Sequence, residues 1–223
     1  MHIAILGRQP TLGMAELERL YGAQAVSWFG EASAQVNTPA FDFSRLGGSR
    51  IIKKKILELP GGNWRRISTA IIEHYLAAWQ DTEHKLTLGI SAYGLDAAPR
   101  DVQGTGIILK KKLRALDVSV RLIPNQVAAL STATSHHNKL GLSPHRVELL
   151  IVRGASGRII IAESVGTQNI TALAARDQAR PHTDAFVGML PPKLARMMAN
   201  MAVGSAVAPA RVARGGVAPI RLT

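Results

Sequence analysis

Short apolar runs of strand length alternate with longer stretches whose apolar residues recur every three or four positions, and this alternation constrains the fold most. It calls for a sheet with helices laid over it rather than a helical bundle or an all-β barrel. His2–Leu6 is a short apolar run closed by Gly7-Arg8-Gln9-Pro10. Thr11–Tyr21 follows with Leu12, Ala15, Leu17 and Leu20 near helical spacing. Its acids, Glu16 and Glu18, read as early helix positions favoured by the dipole, and Gly22 as the stop. Ala25–Phe29 and Ala32–Asn37 read as two strands around a Gly30-Glu31 turn, and 42–48 as a short helix or turn. Ile51–Leu59 holds Lys53, Lys54 and Lys55 in an apolar frame before the breaker Pro60-Gly61-Gly62. Trp64–Trp79 is the clearest helix, with Trp64, Ile67, Ile71, Tyr75 and Trp79 on one face.

The second half continues the pattern. Lys85–Ala92 alternates as a strand does, a helix is expected from Thr105 or Gly106 to Leu116, and Ser119–Ile123 is a strand stopped by Pro124. Val127–Asn138 fits a helix or a loop. Arg146–Val152 and Arg158–Ser164 read as a hairpin around 154–157. The polar stretch 171–184 reads as a connector, and Leu190–Ala202 as a helix with prolines at its start and Leu194, Met197, Met198 and Met201 along one side. The order of elements gives an α+β or α/β chain, without a repeat of 20–50 residues.

With 223 residues, 47% hydrophobic and 19% charged, the chain can bury a core and suits one large domain or two small ones. Aromatics at 4% leave that core to Ile, Leu, Val, Ala and Met. The longest strictly apolar runs are only a few residues, such as Ile159–Ala162, against the ~18 a membrane span needs. No charged-then-apolar leader precedes the first strand, so a cytoplasmic protein without membrane association is expected. The absence of cysteine excludes disulfide frameworks, thiolate metal sites and cysteine nucleophiles from this sequence.

Charge separates the halves. Residues 1–101 carry 11 basic and 10 acidic side chains, whereas residues 102–223 carry 16 basic and 5 acidic. The net +11 of the second half points to a polyanionic partner, nucleic acid, rather than to a face that merely aids solubility. Lys110, Lys111, Lys112 and Arg114 cluster on a helix whose Leu109, Leu113 and Leu116 are expected in the core, leaving cations outward for phosphates. Gly104-Thr105-Gly106 lacks the further residues of a dinucleotide or phosphate loop and reads as turn glycines. His136 and His137 point apart, and with His145 they do not make metal-ligand spacing. No Gly-x-Ser-x-Gly elbow supports a triad, and Asp177 and Asp184 beside His182 read as partners of Arg176 and Arg180.

Two stretches carry a resemblance. Ala162–Ile170, then Arg176-Asp177, Arg180-Pro181, Asp184 and the motif Gly188–Arg196, resemble a continuous segment of THUMP-containing RNA methyltransferases. The likeness is greatest to the tRNA guanine-N(2)-methyltransferases. The opening Ile3–Pro10, with Leu12-Gly13 and Ala15–Glu18, is similar to the start of that family. Leu130-Ser131 with His137-Asn138-Lys139-Leu140 is similar to the THUMP region between the middle strands and the final hairpin.

The resemblance implies an α+β architecture: a ferredoxin-like domain over 1–82, a THUMP domain over 83–170, a linker over 171–188, and from 189 the first helix of a Rossmann-like methyltransferase domain. It implies tRNA or another structured RNA as partner and S-adenosylmethionine as cofactor. RNA contacts are then expected from Lys110, Lys111, Lys112, Arg114, Arg121, His137, Asn138 and Lys139, and a border of the cofactor site from Leu190, Pro191 and Lys193. The family's cofactor loop and its Asn/Asp-Pro-Pro-Tyr-like motif do not occur in this sequence. No catalytic residue is therefore assigned. The chain is expected to be the RNA-binding portion, truncated before the catalytic core, inactive alone and weak toward S-adenosylmethionine. The alternatives are a stand-alone RNA-binding adaptor and, more remotely, a small hydrolase using His136, His137 or His182. Lacking its methyltransferase sheet, the helix over 190–202 is expected to be poorly anchored.

Overall fold

The computed structural model describes residues 1–39, 41–183, 186 and 188–204, with the backbone alone at 51–53 and 165–167. Asp184 and the tail beyond residue 204, on which expectations were placed above, lie outside the described residues. The chain runs β1 (His2–Leu6), α1 (Pro10–Tyr21), β2 (Val26–Gly30), β3 (Ser33–Val36), β4 (Ser49–Leu59), α2 (Trp64–Trp79) and β5 (Leu86–Tyr93). It continues with α3 (Pro99–Arg114), β6 (Val120–Leu122), α4 (Thr132–His137), β7 (Arg146–Arg153), β8 (Ile159–Thr167), α5 (Ile170–Gln178) and α6 (Pro192–Val203).

Among the described residues, eight strands join one mixed sheet in the order β2-β3-β1-β4-β8-β7-β5-β6, parallel only where β5 meets β6 and β7. The fold is α+β. Antiparallel pairing of β4 with β8, from Leu59 opposite Ile159 to Ile51 opposite Thr167, joins the two halves. An ion cluster clasps this seam: Glu58 accepts from Lys55 Nζ at 2.7 Å and from Arg158 at 2.8 Å. The Lys55 hydrogen bond, with Arg158 adding its charge, holds the Glu58 carboxyl below its usual range.

Alternation along each strand feeds three apolar layers. Ala4 and Leu6 of β1, with Val26, Ala34 and Val36, meet Met14, Leu17 and Leu20 of α1. Leu88, Ile90, Leu149, Ile151 and Ile161 meet Ile67, Ile71 and Tyr75 of α2 and Val102, Leu109 and Leu113 of α3. The reverse faces of the two halves meet each other, Ile3, Ile5 and Phe29 packing on Leu150, Val152, Ile160 and Ala162. Thus α2, though it precedes residue 82, packs over the second half of the sheet.

Local chemistry explains the helix ends. Asn63, Ser131 and Asn169 cap α2, α4 and α5 by accepting from the backbone N–H three residues on. Helix α3 begins at Pro99, well before the expected start near Thr105. Its two glycines are interior positions: a Cβ at Gly106 would lie 2.6 Å from Leu122 Cδ1, so glycine allows α3 to sit close on β6. Trp64 Nε1 donates to Thr105 Oγ1, and Thr105 Oγ1 to Ser68 Oγ, tying α2 to α3. Two further expectations are corrected. The stretch 171–184 is not simply a connector, because α5 occupies 170–178. Leu116 is 47% exposed, since the helix ends at Arg114 and the chain turns away from the sheet.

The acids of α1 also differ from expectation. The helix starts at Pro10 and has no acid in its first turn, so Glu16 and Glu18 lie beyond the reach of the N-terminal dipole. Glu16 is fully buried instead, accepting from Gly47 N at 2.9 Å, Gly48 N at 2.8 Å and Asn200 Nδ2 at 2.6 Å. Through Asn200 it grips α6. That helix is not loose: it runs along α1, buries Met197, and donates from Arg196 to Ser44 O at 2.9 Å. The expectation of a poorly anchored helix fails because α1 and the Gly47-Gly48 turn supply the partner.

Candidate nucleic-acid interface

The α3 cations stand where the apolar stripe leaves them. Leu109 and Leu113 are fully buried, which turns Lys111, Lys112 and Arg114 outward and leaves Lys110 half-buried on the flank. These cations lie in the last turns of the helix, where its dipole stabilises positive charge. None of the four side chains makes a hydrogen bond or ion pair among the described residues. They are free to meet phosphates.

A second group gathers where β6, α4 and β7 come together. Arg121, exposed on β6, donates to Asn138 Oδ1 at 3.2 Å, and Asn138 Nδ2 donates to Thr134 O at 2.9 Å. Lys139 follows at φ 55°, which turns the chain sharply and leaves its ammonium exposed beside exposed His137. A buried relay holds this region. Leu130 N donates to Ser91 Oγ at 2.9 Å, and Ser91 Oγ donates to buried Glu148 at 2.7 Å. Asn125 adds a bond from Nδ2 to Ile90 O at 2.9 Å. Burial, then the charge of Glu148, pushes the nearby Tyr93 phenol up to about 12. The structure therefore brings Arg121, His137, Asn138 and Lys139 together, while Lys110, Lys111, Lys112 and Arg114 form their own group on α3.

The residues expected at a cofactor border separate. Pro191 and Lys193 line a cleft of about 640 Å³ with Leu6, Arg8, Arg50 and Gln168. Leu190 is exposed outside that lining, its carbonyl accepting from Arg180 at 2.9 Å. Arg180 also pairs with Asp177. His136 and His137 have ring centroids 6.0 Å apart, and no group of three His, Asp or Glu that could hold a metal occurs among the described residues. No described helix is long and apolar enough to cross a membrane. Sequence reasoning missed Glu16, Arg8, Arg50 and Gln168. Arg8, Glu16 and Gln168 fall within the segments that carry the family likeness, which gave them no chemical role, and Arg50 carried no signal.

No family model matches the sequence, and no curated protein does. Solved structures do match. PH1313 from Pyrococcus horikoshii Ot3 aligns at TM-score 0.41 and 12% identity over 73% of this chain and 53% of that one. A 4-thiouridine synthetase in complex with RNA and bound ATP aligns at 0.41 and 10% over 74% and 41%. TrmN from Thermus thermophilus aligns at 0.52 and 16% over 90% of this chain and 54% of that one. The chain thus spans about half or less of the length of each of these three structures. At such identities the likeness concerns the fold, and TrmN shares this α+β fold over nine-tenths of the chain.

Proposed function

We propose that this chain is the RNA-binding portion of a THUMP-type tRNA guanine-N(2)-methyltransferase, with its ferredoxin-like part over 1–82, its THUMP part over 83–170, a linker over 171–188 and the beginning of a methyltransferase domain from 189. The observation that carries the reading is the unpaired cluster Lys110, Lys111, Lys112 and Arg114 on α3, in the half with net +11. The fold shared with TrmN supports it. Arg121, His137, Asn138 and Lys139 form a second contact group. Residues 102–223 hold one aromatic side chain, Phe186, so grip relies on charge more than on base stacking. S-adenosylmethionine is the cofactor this reading implies, with Leu190, Pro191 and Lys193 along one border of its site. The sequence lacks the family's cofactor loop, so tight retention of that cofactor and methyl transfer by this chain alone are not expected.

The test is tRNA binding by fluorescence anisotropy across a salt series. Each phosphate contact adds about 0.7–0.9 to the slope of log affinity against log salt. Replacing Lys110, Lys111, Lys112 and Arg114 by Ala should lower affinity at least tenfold and flatten the slope by about 2–4. Unchanged affinity and slope remove α3 from the RNA face and sink the reading. The docking of α6 on α1 favours a second reading, an RNA-binding adaptor, because the helix has an anchor without any methyltransferase sheet.

A further inference from the structure

Two helix N-termini open onto one cleft. Gly7, Arg8 and Gln9 lead into α1, and Pro191, Lys193 and Leu194 belong to the start of α6; all line the cavity of about 640 Å³. The helices run parallel, as their contacts advance in step: Gly48 lies between Gly13 and Met197, Glu16 meets Asn200, and Arg19 meets Met201. Parallel helices place two positive dipole ends together and two negative ends together. The negative ends are compensated, because Arg19 Nε donates to Met201 O at 3.1 Å. The positive ends are not. Neither helix has an acid in its first turn or a side-chain N-cap.

The side chains deepen this imbalance. Arg8, Arg50 and Lys193 all line the cleft, and among the described residues none has a hydrogen bond or ion pair. Burial, then the charge of Arg50, holds the Lys193 ammonium below the usual lysine range, as expected of cations facing each other without an anion between them. Beside them lies Gln168, 4% exposed, whose Nε2 donates to Gly47 O at 3.4 Å. Its Oε1 has no partner and calls for a donor. Leu6, Leu194 and Met197 give the cleft an apolar wall.

We propose that this cleft binds a nucleoside monophosphate group, free or as the end of an RNA strand. Its phosphate lies at the two helix N-termini among Arg8, Arg50 and Lys193, and a ribose hydroxyl donates to Gln168 Oε1. Helix N-termini bind phosphate through their unpaired N–H groups and dipole, and the unpartnered amide oxygen accounts for a hydroxyl that inorganic anions of full charge do not offer. The apolar wall suits the flat side of a base or sugar. The site is independent of the α3 cations.

Calorimetry on the 223-residue chain tests it with adenosine monophosphate, inorganic phosphate, S-adenosylmethionine and a ten-nucleotide RNA with and without a 5′-phosphate. Saturable binding of the monophosphate, or a preference for the phosphorylated RNA, is expected; the first identifies a free nucleotide and the second a strand end. Arg8→Gln and Arg50→Gln should each weaken it about tenfold, the loss of one charge-assisted bond. Gln168→Leu should weaken the nucleotide and spare inorganic phosphate, while Arg100→Gln, at an exposed position of α3, changes nothing. Circular dichroism checks that each variant folds. Absence of saturable monophosphate binding together with indifference to the RNA 5′-phosphate overturns the proposal. So does tighter binding of S-adenosylmethionine than of the monophosphate, or monophosphate binding that survives both arginine changes. A chain that ignores tRNA but takes the monophosphate sinks the RNA-binding reading alone, and one that binds tRNA but takes no monophosphate and is indifferent to the RNA 5′-phosphate sinks this one alone.

Discussion

Two helix pairs flank the sheet, and they are held by opposite chemistries. The α2–α3 pair is apolar: Ile67, Ile71 and Tyr75 meet Val102, Leu109 and Leu113 over the second half of the sheet, with hydroxyls and Trp64 Nε1 only along the seam between the helices. The α1–α6 pair buries one side chain of α6, Met197, and closes around the Glu16 carboxylate and two glycines. A Cβ at Gly47 would overlap the Lys193 carbonyl, and one at Gly48 would lie 2.6 Å from Gly13 Cα. The first pair derives its stability from area removed from water. The second depends on a few hydrogen bonds and on close backbone approach, so small changes should detach it without unfolding the rest.

The largest effect is expected at Ile71, fully buried between α2 and the sheet. Ile71→Ala should cost about 2–5 kcal/mol in chemical denaturation and destabilise the whole molecule. A loss under about 1 kcal/mol would mean that the apolar pair is not the foundation supposed here. A smaller and more local effect is expected at Glu16. Glu16→Gln keeps one carbonyl oxygen but turns an amide nitrogen toward a backbone donor, costing about 1–3 kcal/mol. Limited proteolysis should then cleave after α5 well before the core is attacked. Simultaneous loss of core and α6 would erase the contrast between the pairs. The smallest effect belongs to Leu116, 47% exposed past the end of α3. Leu116→Ala should shift stability by no more than about 0.5 kcal/mol, and a core-sized loss would return it to the apolar stripe.

The apolar pair was legible because periodicity reports burial. Trp64, Ile67, Ile71, Tyr75 and Trp79 give the bounds of α2 directly. Strands β2, β3, β5 and β7 were legible from short β-rich runs between turn residues. The start of α3 was not, because Gly104 and Gly106 argue against a helix by propensity, whereas in the folded chain Gly106 is needed beneath Leu122. The polar pair was illegible for a related reason. Nothing along the sequence tells a buried glutamate from a solvated one, and the partners of Glu16 lie 31 to 184 residues away. The same holds for the cleft. Arg8, Arg50, Gln168 and Lys193 meet only after β4 has paired with β8 and α6 has docked on α1. The α3 cations were visible because four of them fall within five consecutive residues.

The seam between β4 and β8 has a consequence for how the molecule is made. Leu59 pairs with Ile159, a strand partner emerging 100 residues later. At ribosomal rates of about 5–20 residues per second, β4 waits roughly 5–20 s for its neighbour. Until then it is the outer edge of a nascent four-stranded sheet, with a row of unsatisfied backbone donors and acceptors that another chain could pair. Lys54 and Lys55, midway along that edge, oppose such pairing by charge while the strand is bare, and Arg158 arrives with β8 to pair with Glu58 across the seam. Closing so long a loop is entropically slow, so the newborn chain passes through a stage in which its first half is shaped but incomplete, guarded by two lysines of which one, Lys55, belongs to the clasp of the finished protein.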